Sequence, residues 1–223
     1  MEIICRRSRA CSWMLAVAVS ALSFSGDVRA EHPLDLKPQL FECRVAKINE
    51  DFESQLPSVA IPVKGTWAVE SGVLSGSELP EDHHAAVLNY QIANHDSAVK
   101  FRFKLIEQSS GFHFSLNHQA GHLFRIVFES NSVSIKLDKD KKDPKSKVVN
   151  LAADSLVMAD KRFEIDRWYT VLIEMQRDRV IVQSDNGVHL DVSHPKLNTD
   201  KPNYRFVTKG KSLLLDDFQI FDK

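Results

Sequence analysis

Apolar residues recur at every second position through most of the chain after residue 40, and this spacing restricts the fold more than any other feature. In the clearest run, lysine or arginine alternates with Val99, Phe101, Phe103 and Leu105. Successive side chains of a β-strand point to opposite faces, so the run predicts a strand with one buried and one cationic face. Further runs of this kind lie at 133–137, 169–175, 180–182 and 188–192.

Two hairpins can be placed in register from the faces of their side chains. When a three-residue loop, Gln119–Gly121, joins 111–118 to 122–129, apolar residues face apolar residues across the pair. The predicted pairs are Phe112 with Phe128, Phe114 with Ile126, and Leu116 with Phe124. The same test selects a three-residue loop at Asp185–Gly187, and a shorter turn at Arg177–Asp178 joins two further strands. About ten short strands joined in this way predict an all-β sandwich or barrel.

Three local segments carry separate expectations. The sequence predicts one short helix, near Ala152–Lys161, and a solvated loop at 138–147, where charged residues are dense. Cys43 is expected as a buried apolar residue of a strand, on the same face as Phe41 and Val45, rather than as a nucleophile.

The first 30 residues have the features of a secretory signal peptide. A positively charged N-terminal segment with three arginines precedes an apolar stretch at Trp13–Phe24. Val28 and Ala30 then supply the small residues that signal peptidase requires for cleavage after Ala30. An uncleaved anchor is the alternative. We therefore predict a single exported domain at 31–223, periplasmic or extracellular. It contains no second apolar segment of about 18 residues and hence no predicted transmembrane segment.

Charge and cysteine content narrow the function classes. Removal of the signal takes away four arginines and two acids, so the formal charge changes from −1 to −3. A nucleic-acid-binding domain would have an excess of basic over acidic residues, so no nucleic-acid partner is predicted. Cys43 is the only cysteine left after cleavage. The mature protein would therefore have no internal disulfide, and its stability would come from the core.

Three segments together resemble the concanavalin A-like lectin and glucanase superfamily. They are "GTWAVESGVLSG" at 65–76, "RWYTVLIEMQRDRVIVQSDNG" at 167–187 and "SLLLDDFQIFD" at 212–222. They are similar to strands of laminin-G-like domains and of 3-keto-disaccharide hydrolase domains. The resemblance covers most of 41–222 and implies a two-sheet antiparallel jelly-roll sandwich.

The resemblance does not extend to the catalytic motifs of that superfamily. Family 16 glycoside hydrolases carry Glu-x-Asp-x-(x)-Glu, whereas here Glu164 and Asp166 are followed by Trp168 and Tyr169. Retaining hydrolysis needs two carboxyl groups with different pKa values, so Glu164 and Asp166 are predicted to lie in a loop or at a strand edge. "SSGFHFS" at 109–115 lacks the Asn and Arg of the 3-keto-disaccharide hydrolase motif Asn-Ser-Gly-Ile-x-x-Arg. No catalytic residue is predicted, and the sequence leans away from an enzyme.

Other motifs for chemistry are missing from the sequence. It contains no phosphate-binding loop, no His-Glu-x-x-His, no Cys-x-x-Cys and no Gly-x-Ser-x-Gly. Asp82, His83 and His84 are candidate metal ligands, but neighbouring residues of a strand point to opposite faces. A polar loop before a strand at Ala85–Tyr90 is predicted instead, with no metal and no other cofactor.

The first predicted hairpin supplies the candidate binding site. Its register sends polar residues to the face away from the core, together with Leu123 and Val127, and places His118 beside His122 at the tip. In jelly-roll lectins the outer face of the concave sheet holds sugars, usually with an aromatic ring for stacking. The resemblance therefore implies a ligand-binding set of His113, Ser115, Asn117, His122, Arg125 and Trp168. The alternative is an ordinary mixed sheet surface with Trp168 packed inside.

These features favour an exported, non-catalytic carbohydrate-binding or surface-interaction domain with a glycan or polysaccharide as its partner. Two alternatives remain open. One is a diverged glycoside hydrolase of the 3-keto-disaccharide hydrolase type, which would require paired carboxyl groups in a groove. The other is a protein-binding laminin-G-like module, which would show a flat, apolar, exposed patch.

Overall fold

The alternating runs form antiparallel β-strands that pair into two sheets. The computed structural model describes residues 35–106, 109–158, 161–210 and 213–222. The predicted signal peptide and its cleavage site lie outside these residues. Within them there are fifteen strands and two short 3-10 helices, Pro80–Asp82 and Pro195–Leu197. No helix in the described ranges has both the length and the apolarity that a membrane span needs.

Sheet A contains the strand β1, Ile48–Glu50, which pairs with β15 beside the main path of the sheet. The order along that path is β13 (His189–Ser193), β12 (Arg179–Ser184), β11 (Trp168–Gln176), β6 (Ser97–Leu105), β15 (Leu213–Asp222), β4 (Val73–Ser77) and β3 (Thr66–Glu70). Sheet B follows the order β10 (Val149–Asp154), β9 (Ser132–Leu137), β8 (Gly121–Glu129), β7 (Ser109–His118), β14 (Tyr204–Gly210), β5 (Ala86–Tyr90) and β2 (Ala60–Lys64).

Aromatic side chains from both sheets meet in the core. Phe103 of sheet A lies 4.8 Å, centroid to centroid, from Phe112 of sheet B, which stacks on Phe128 at 4.7 Å. Phe101 packs edge-on against Phe206 at 5.2 Å. Burial of these rings, together with the aliphatic residues around them, removes apolar surface from water and so stabilises the contact between the two layers. The predicted all-β, two-sheet antiparallel sandwich is therefore confirmed.

The β7–β8 hairpin has the predicted register over most of its length. The predicted pairs form, namely Phe112 with Phe128, Phe114 with Ile126, and Leu116 with Phe124. Beyond Leu116 the register shifts, so that Asn117 pairs with His122 and His118 with Gly121. The predicted loop Gln119–Gly121 is wrong because the extra residue forms a bulge at Leu123. Leu123 is 4% exposed and packs with the core, so its predicted place on the outer face is also wrong.

Gly111 starts the buried part of β7 and accepts no larger residue without strain. Its φ is +108°, and a Cβ atom there would lie 2.2 Å from the carbonyl oxygen of Phe128. The close approach of the two strands at this point therefore depends on a residue without a side chain.

Two other local predictions have mixed outcomes. The hairpin at Asp185–Gly187 pairs Val182 with Leu190 and Val180 with Val192, as predicted. The helix predicted near Ala152–Lys161 is wrong, because β10 runs to Asp154 and pairs with β9 through a register shift. Pairing along the edge of sheet B outweighs the helix propensity of the alanines at this position.

The segment Leu36–Ala46, here called the strap, lies on the outer face of sheet A. The buried Glu174 carboxylate accepts backbone N–H groups of the strap, and its Oε1 lies 2.9 Å from Gln39 N, 2.6 Å from Leu40 N and 3.0 Å from Phe41 N. Apolar strap residues pack around Leu172 of the sheet. The backbone is thus held in an irregular path by a carboxylate rather than by a neighbouring strand.

The prediction of Cys43 as a buried strand residue is wrong. Cys43 lies in the strap with a φ of +34° and is partly exposed, and the neighbouring Val45 is 83% exposed. Burial and then the charge of Glu174 raise the pKa of the Cys43 thiol. The alternation around Cys43 resembles a strand, but the contacts with Glu174 fix a different backbone path.

Candidate functional site

A row of polar side chains crosses the outer face of sheet B. The backbone register places Ser115 of β7 between Arg125 of β8 and Arg205 of β14. Lys136 is the partner of Arg125 on one side, and Asn89 is the partner of Arg205 on the other. Neighbouring strands lie about 4.8 Å apart, so these five side chains form one continuous row.

Arg205 is held by neutral partners. Its Nε donates to Asn89 Oδ1 at 3.0 Å, and its Nη1 lies 2.9 Å from His122 Nδ1 and 3.5 Å from Asn117 Oδ1. Among the described residues no carboxylate forms an ion pair with it. Burial lowers the pKa of Arg205, although the negative charge of Asp138 opposes the shift. The row thus contains a half-buried guanidinium whose direct contacts do not neutralise it.

His122 connects the hairpin tip to this cation. Its Nδ1 lies 3.0 Å from Asn117 Oδ1 as well as close to the Arg205 guanidinium. A single ring nitrogen either accepts from the guanidinium or donates to the amide oxygen, so the two contacts are coupled through the tautomer. Burial and then the charge of Arg205 lower the pKa of His122, which favours the neutral ring.

Arg125 differs from Arg205 because it has a carboxylate partner. Its Nη2 donates to Asp138 Oδ1 at 2.5 Å. Asp138 follows β9 directly, and its backbone N–H donates to Leu123 O beside the bulge. The ion pair therefore joins the middle of β8 to the end of β9 and fixes the Arg125 side chain on the outer face.

Ser115 carries a buried hydroxyl group without a partner. The residue is 6% exposed, and within the described ranges its Oγ has no hydrogen bond. An unsatisfied buried hydroxyl costs about 1–3 kcal/mol, and in native proteins such groups are uncommon. Other buried polar groups of the described chain, such as those of Asn203 and Thr208, also have no partner, but Ser115 is the one that lies between the two arginines of the row.

The adjacent row on the same face is mainly apolar. His113 lies between Val127 and Val207, and the next residue in the row is Val87. Burial, followed by the positive charge of Arg125 and of two lysines, lowers the pKa of His113 to about 4. His113 is therefore neutral at neutral pH and offers one donor and one acceptor beside the polar row.

A cleft of about 310 Å³ adjoins the tip of the β7–β8 hairpin. It is lined by residues of the hairpin, of the segment that ends and follows β9, and of the loop 195–199, including His118, His122, Asp138, Asp140 and Asn198. The volume is at the lower end of the range for small-molecule sites. His122 and Asp138 thus belong both to the cleft and to the network around the polar row.

The structure does not bring Trp168 to this face. Trp168 lies on the outer face of sheet A, opposite Lys104, while the next residue, Tyr169, enters the core. The Arg102 guanidinium carbon is 5.1 Å and the Lys104 Nζ 5.4 Å from the centre of its ring. The prediction that Trp168 stacks with a ligand of the hairpin face is wrong, because its strand belongs to the other sheet. The alternative that Trp168 packs inside is wrong as well.

The carboxyl groups at the borders of the polar face are far apart. Asp138 follows Leu137, which pairs with Phe124, whereas Glu129 lies at the other end of β8 and accepts from Ser132 Oγ at 2.6 Å. Five residues of strand separate these two ends, a distance of about 17 Å. Paired acids of glycoside hydrolases lie about 5–10 Å apart. Asp138 and Glu129 therefore do not form such a pair.

Glu164, Asp166, His83 and His84 lie in loops, as predicted, whereas Asp82 belongs to a short 3-10 helix. Glu164 and Asp166 precede β11, and Glu164 is bound by Arg167 at 3.3 Å. Asp82 ends the 3-10 helix Pro80–Asp82, and its Oδ2 accepts from Gly65 N at 2.6 Å. In the described part of the chain no three histidine, cysteine or acidic residues are grouped to hold a metal ion.

Sequence reasoning found half of the polar network. His113, Ser115, Asn117 and Arg125 lie on the outer face of sheet B, as the hairpin register predicted. His122 was predicted beside His118 at the tip, but the bulge at Leu123 pairs it with Asn117 instead. Arg205 and Asn89 were missed. The alternation in "YRFVTKG" at 204–210 could have indicated a strand, but the pairing of β14 with β7 joins segments that are distant in sequence.

Solved structures share this fold, although no protein-family model matches the chain and no curated protein matches its sequence. The carbohydrate-binding module CBM66 from Bacillus subtilis has a TM-score of 0.58 at 10% identity, with 74% of this chain and 96% of the module covered. The β-glucanase of Bacillus licheniformis has a TM-score of 0.58 at 9% identity, with 81% and 99% covered. LamAcat from Zobellia galactanivorans has a TM-score of 0.55 at 11% identity, with 80% and 98% covered. These likenesses show that the chain has the two-sheet jelly-roll fold of these proteins, as the sequence predicted.

Proposed function

We propose that this concanavalin A-like jelly roll is a non-catalytic carbohydrate-binding domain that holds a glycan on the outer face of sheet B. The contacts are those of His113, Ser115, Asn117, His122 and Arg125. The observation that carries the proposal is the continuous polar row, in which planar donors and acceptors surround a buried hydroxyl without a partner. Sugar hydroxyl groups are bound by such planar, fixed side chains.

The two outer faces of the sandwich differ in accessibility. The strap covers part of the outer face of sheet A and is anchored there by Glu174. On sheet B, Asn117 and Arg125 are partly exposed and His122 is exposed. A ligand can therefore reach the polar row without displacing the strap. The names of two neighbours, a carbohydrate-binding module and a β-glucanase, agree with a carbohydrate as the ligand.

Binding rather than hydrolysis is supported by the positions of the carboxylates. Two carboxylates, Asp138 and Asp140, line the cleft, and Asp138 is engaged there by Arg125 as an ion pair. Glu129 lies at the far end of β8, about 17 Å away. A hydrolase of the paired-acid type would need two carboxyl groups on either side of one glycosidic bond. The proposed domain thus orients a glycan but does not cleave it.

A glycan array with a reducing-sugar release assay tests this function. We expect the wild-type protein to bind a set of glycans, and the double variant His113→Ala, Arg125→Ala to lose at least about tenfold in affinity. Trp168→Ala is the control, since Trp168 lies on the other sheet, and its binding is expected to stay unchanged. Far-UV circular dichroism verifies that each variant folds. Unchanged binding by the double variant, or release of reducing sugar, would contradict the proposal.

We further propose that the domain is exported as residues 31–223 after cleavage following Ala30. The arginine-rich start and the apolar stretch Trp13–Phe24 support this proposal. N-terminal sequencing of the protein recovered from an exporting host is expected to give Glu31 as the first residue. An intact Met1, or recovery from the cytoplasm alone, would contradict it.

A further inference from the structure

We infer that the glycan bound by sheet B is anionic, and that Arg205 binds its carboxylate or sulfate group. This inference rests on the proposed function, since it names the ligand class of the same face. A uronic acid and a sulfated sugar carry the same recognition chemistry, namely two or three anionic oxygens around one centre.

The charges of the polar row are not balanced within the row. Lys136, Arg125 and Arg205 are consecutive cations on the face, apart from the intervening Ser115. Asp138 is the carboxylate that contacts the row, and it pairs with Arg125. Removal of a cation from water without a counter-charge is costly, and an anion bound at Arg205 would offset that cost.

The guanidinium of Arg205 has donors left for such a ligand. Its Nε is used by Asn89, and its Nη1 faces His122 and Asn117. No contact to Nη2 is found within the described ranges, so two N–H donors remain. Each N–H group of Nη2 can donate a charge-assisted hydrogen bond to an anionic oxygen. The contacts of Nε and Nη1 hold the guanidinium plane in place before the ligand arrives.

Ser115 supplies the second, independent observation. More than nine-tenths of the residue is buried, and its hydroxyl has no partner among the described residues. The pairing of β7 with β8 and β14 places it between Arg125 and Arg205, about 4.8 Å from each strand. A hydroxyl that lacks an acceptor beside a cation that lacks a counter-ion indicates one missing group, an anionic oxygen.

The cleft at the hairpin tip gives the rest of the sugar a place to lie. His122 lines the cleft and also contacts Arg205, so a ring in the cleft can carry its acidic substituent toward the polar row. Asp138 and Asp140 line the cleft, so the acidic substituent would lie at Arg205 and away from these carboxylates. A neutral sugar in the cleft would leave Arg205 without a counter-charge. The site should therefore prefer a charged ring over a neutral one of the same size.

Isothermal titration calorimetry with three oligosaccharide probes tests the inference. The probes are an oligogalacturonate, a sulfated galactan oligosaccharide and a neutral β-glucan oligosaccharide. We expect at least one anionic probe to bind about tenfold more tightly than the neutral one, with an affinity that falls as salt is raised. The probe that binds identifies the anionic group as carboxylate or sulfate.

Variants then locate the charge that is responsible. Arg205→Gln is expected to weaken binding of the anionic probe by at least about tenfold and to weaken binding of the neutral probe much less. The matched control is Arg102→Gln, which removes an arginine from the outer face of sheet A and should leave both affinities unchanged. Arg205→Lys keeps the charge without the planar guanidinium, and should lie between the wild type and Arg205→Gln.

The outcomes separate this inference from the proposed function. Neutral glycans that bind as tightly as anionic ones, with no effect of Arg205→Gln, would overturn the inference and leave carbohydrate binding in place. An equal loss of affinity with Arg102→Gln would also overturn it, because the attraction would then be non-specific. Absence of binding to any glycan would instead refute the proposed function. If Arg205→Gln does not fold, Lys136→Gln and Arg205→Lys provide the same comparison.

Discussion

His113 should make the stability of the fold depend on pH between about pH 7 and about pH 4. Burial, followed by the positive charges of Arg125, Lys209 and Lys136, lowers the pKa of His113 to about 4, and Glu129 opposes the shift only in part. In the unfolded chain the imidazole has a pKa of about 6.5. At about pH 5 the unfolded state therefore binds a proton that the folded state does not bind, and acid favours unfolding.

The size of this effect follows from the two pKa values. The stabilisation is fully present above the unfolded pKa of about 6.5, and it is lost as the pH falls toward the folded pKa of about 4. Between about pH 7 and about pH 5 the loss is about 2 kcal/mol, and the whole shift corresponds to about 3 kcal/mol. Carboxylates also titrate in this range, so the quantity to measure is the difference between the wild type and a variant without the imidazole.

Urea unfolding followed by tryptophan fluorescence measures this difference. His113→Gln keeps a neutral polar side chain of similar length and should lose about 2 kcal/mol less than the wild type between about pH 7 and about pH 5. The control His84→Gln, in an exposed loop, should follow the wild type. If His113→Gln and the wild type lose equal stability on acidification, the imidazole is not held neutral by its surroundings.

Three further substitutions test other contacts. Glu174→Gln should lower the free energy of unfolding by about 1–3 kcal/mol and speed amide hydrogen exchange at Gln39–Phe41, because the charged acceptor of the strap is lost. Unchanged exchange at these amides would contradict this role of Glu174. Ser115→Ala should raise the free energy of unfolding of the unliganded protein by about 1 kcal/mol in urea, because a buried hydroxyl without a partner is removed. A lower free energy of unfolding would show that the hydroxyl does have a hydrogen-bond partner. Gly111→Ala should lower stability by about 2 kcal/mol or more in thermal denaturation, because its Cβ would meet the Phe128 carbonyl; an unchanged melting temperature would refute the clash.

Local pairings could be predicted from the sequence because one face of each strand is buried. A shift of one residue would have exposed Phe112, Phe114 and Leu116 together, so the register of the β7–β8 hairpin was strongly determined. The position of the extra residue was not determined in this way. A three-residue loop and a two-residue loop with a bulge at Leu123 give the same pairing for the buried part of the hairpin.

Contacts between distant segments could not be predicted, and the site depends on them. Arg205 lies beside Ser115 only because β14 enters sheet B next to β7, and alternation within a strand does not indicate its neighbours. Trp168 was assigned to the wrong face for the same reason, since β11 pairs with β6 in sheet A. The strap is a third case, because the buried Glu174 gave no signal in the sequence that it would bind backbone groups far from its own strand.

The strap also determines how the molecule would be displayed on a support. It runs over the outside of sheet A, and the strand β1 that follows it pairs with the final strand β15, so both ends of the described chain lie on that sheet. A tether attached to the strap, for example at the partly exposed Cys43, would hold the sandwich with the outer face of sheet A toward the support. His122 and Arg125 would then face the surrounding solution, where a long polymer could approach them without obstruction from the tether.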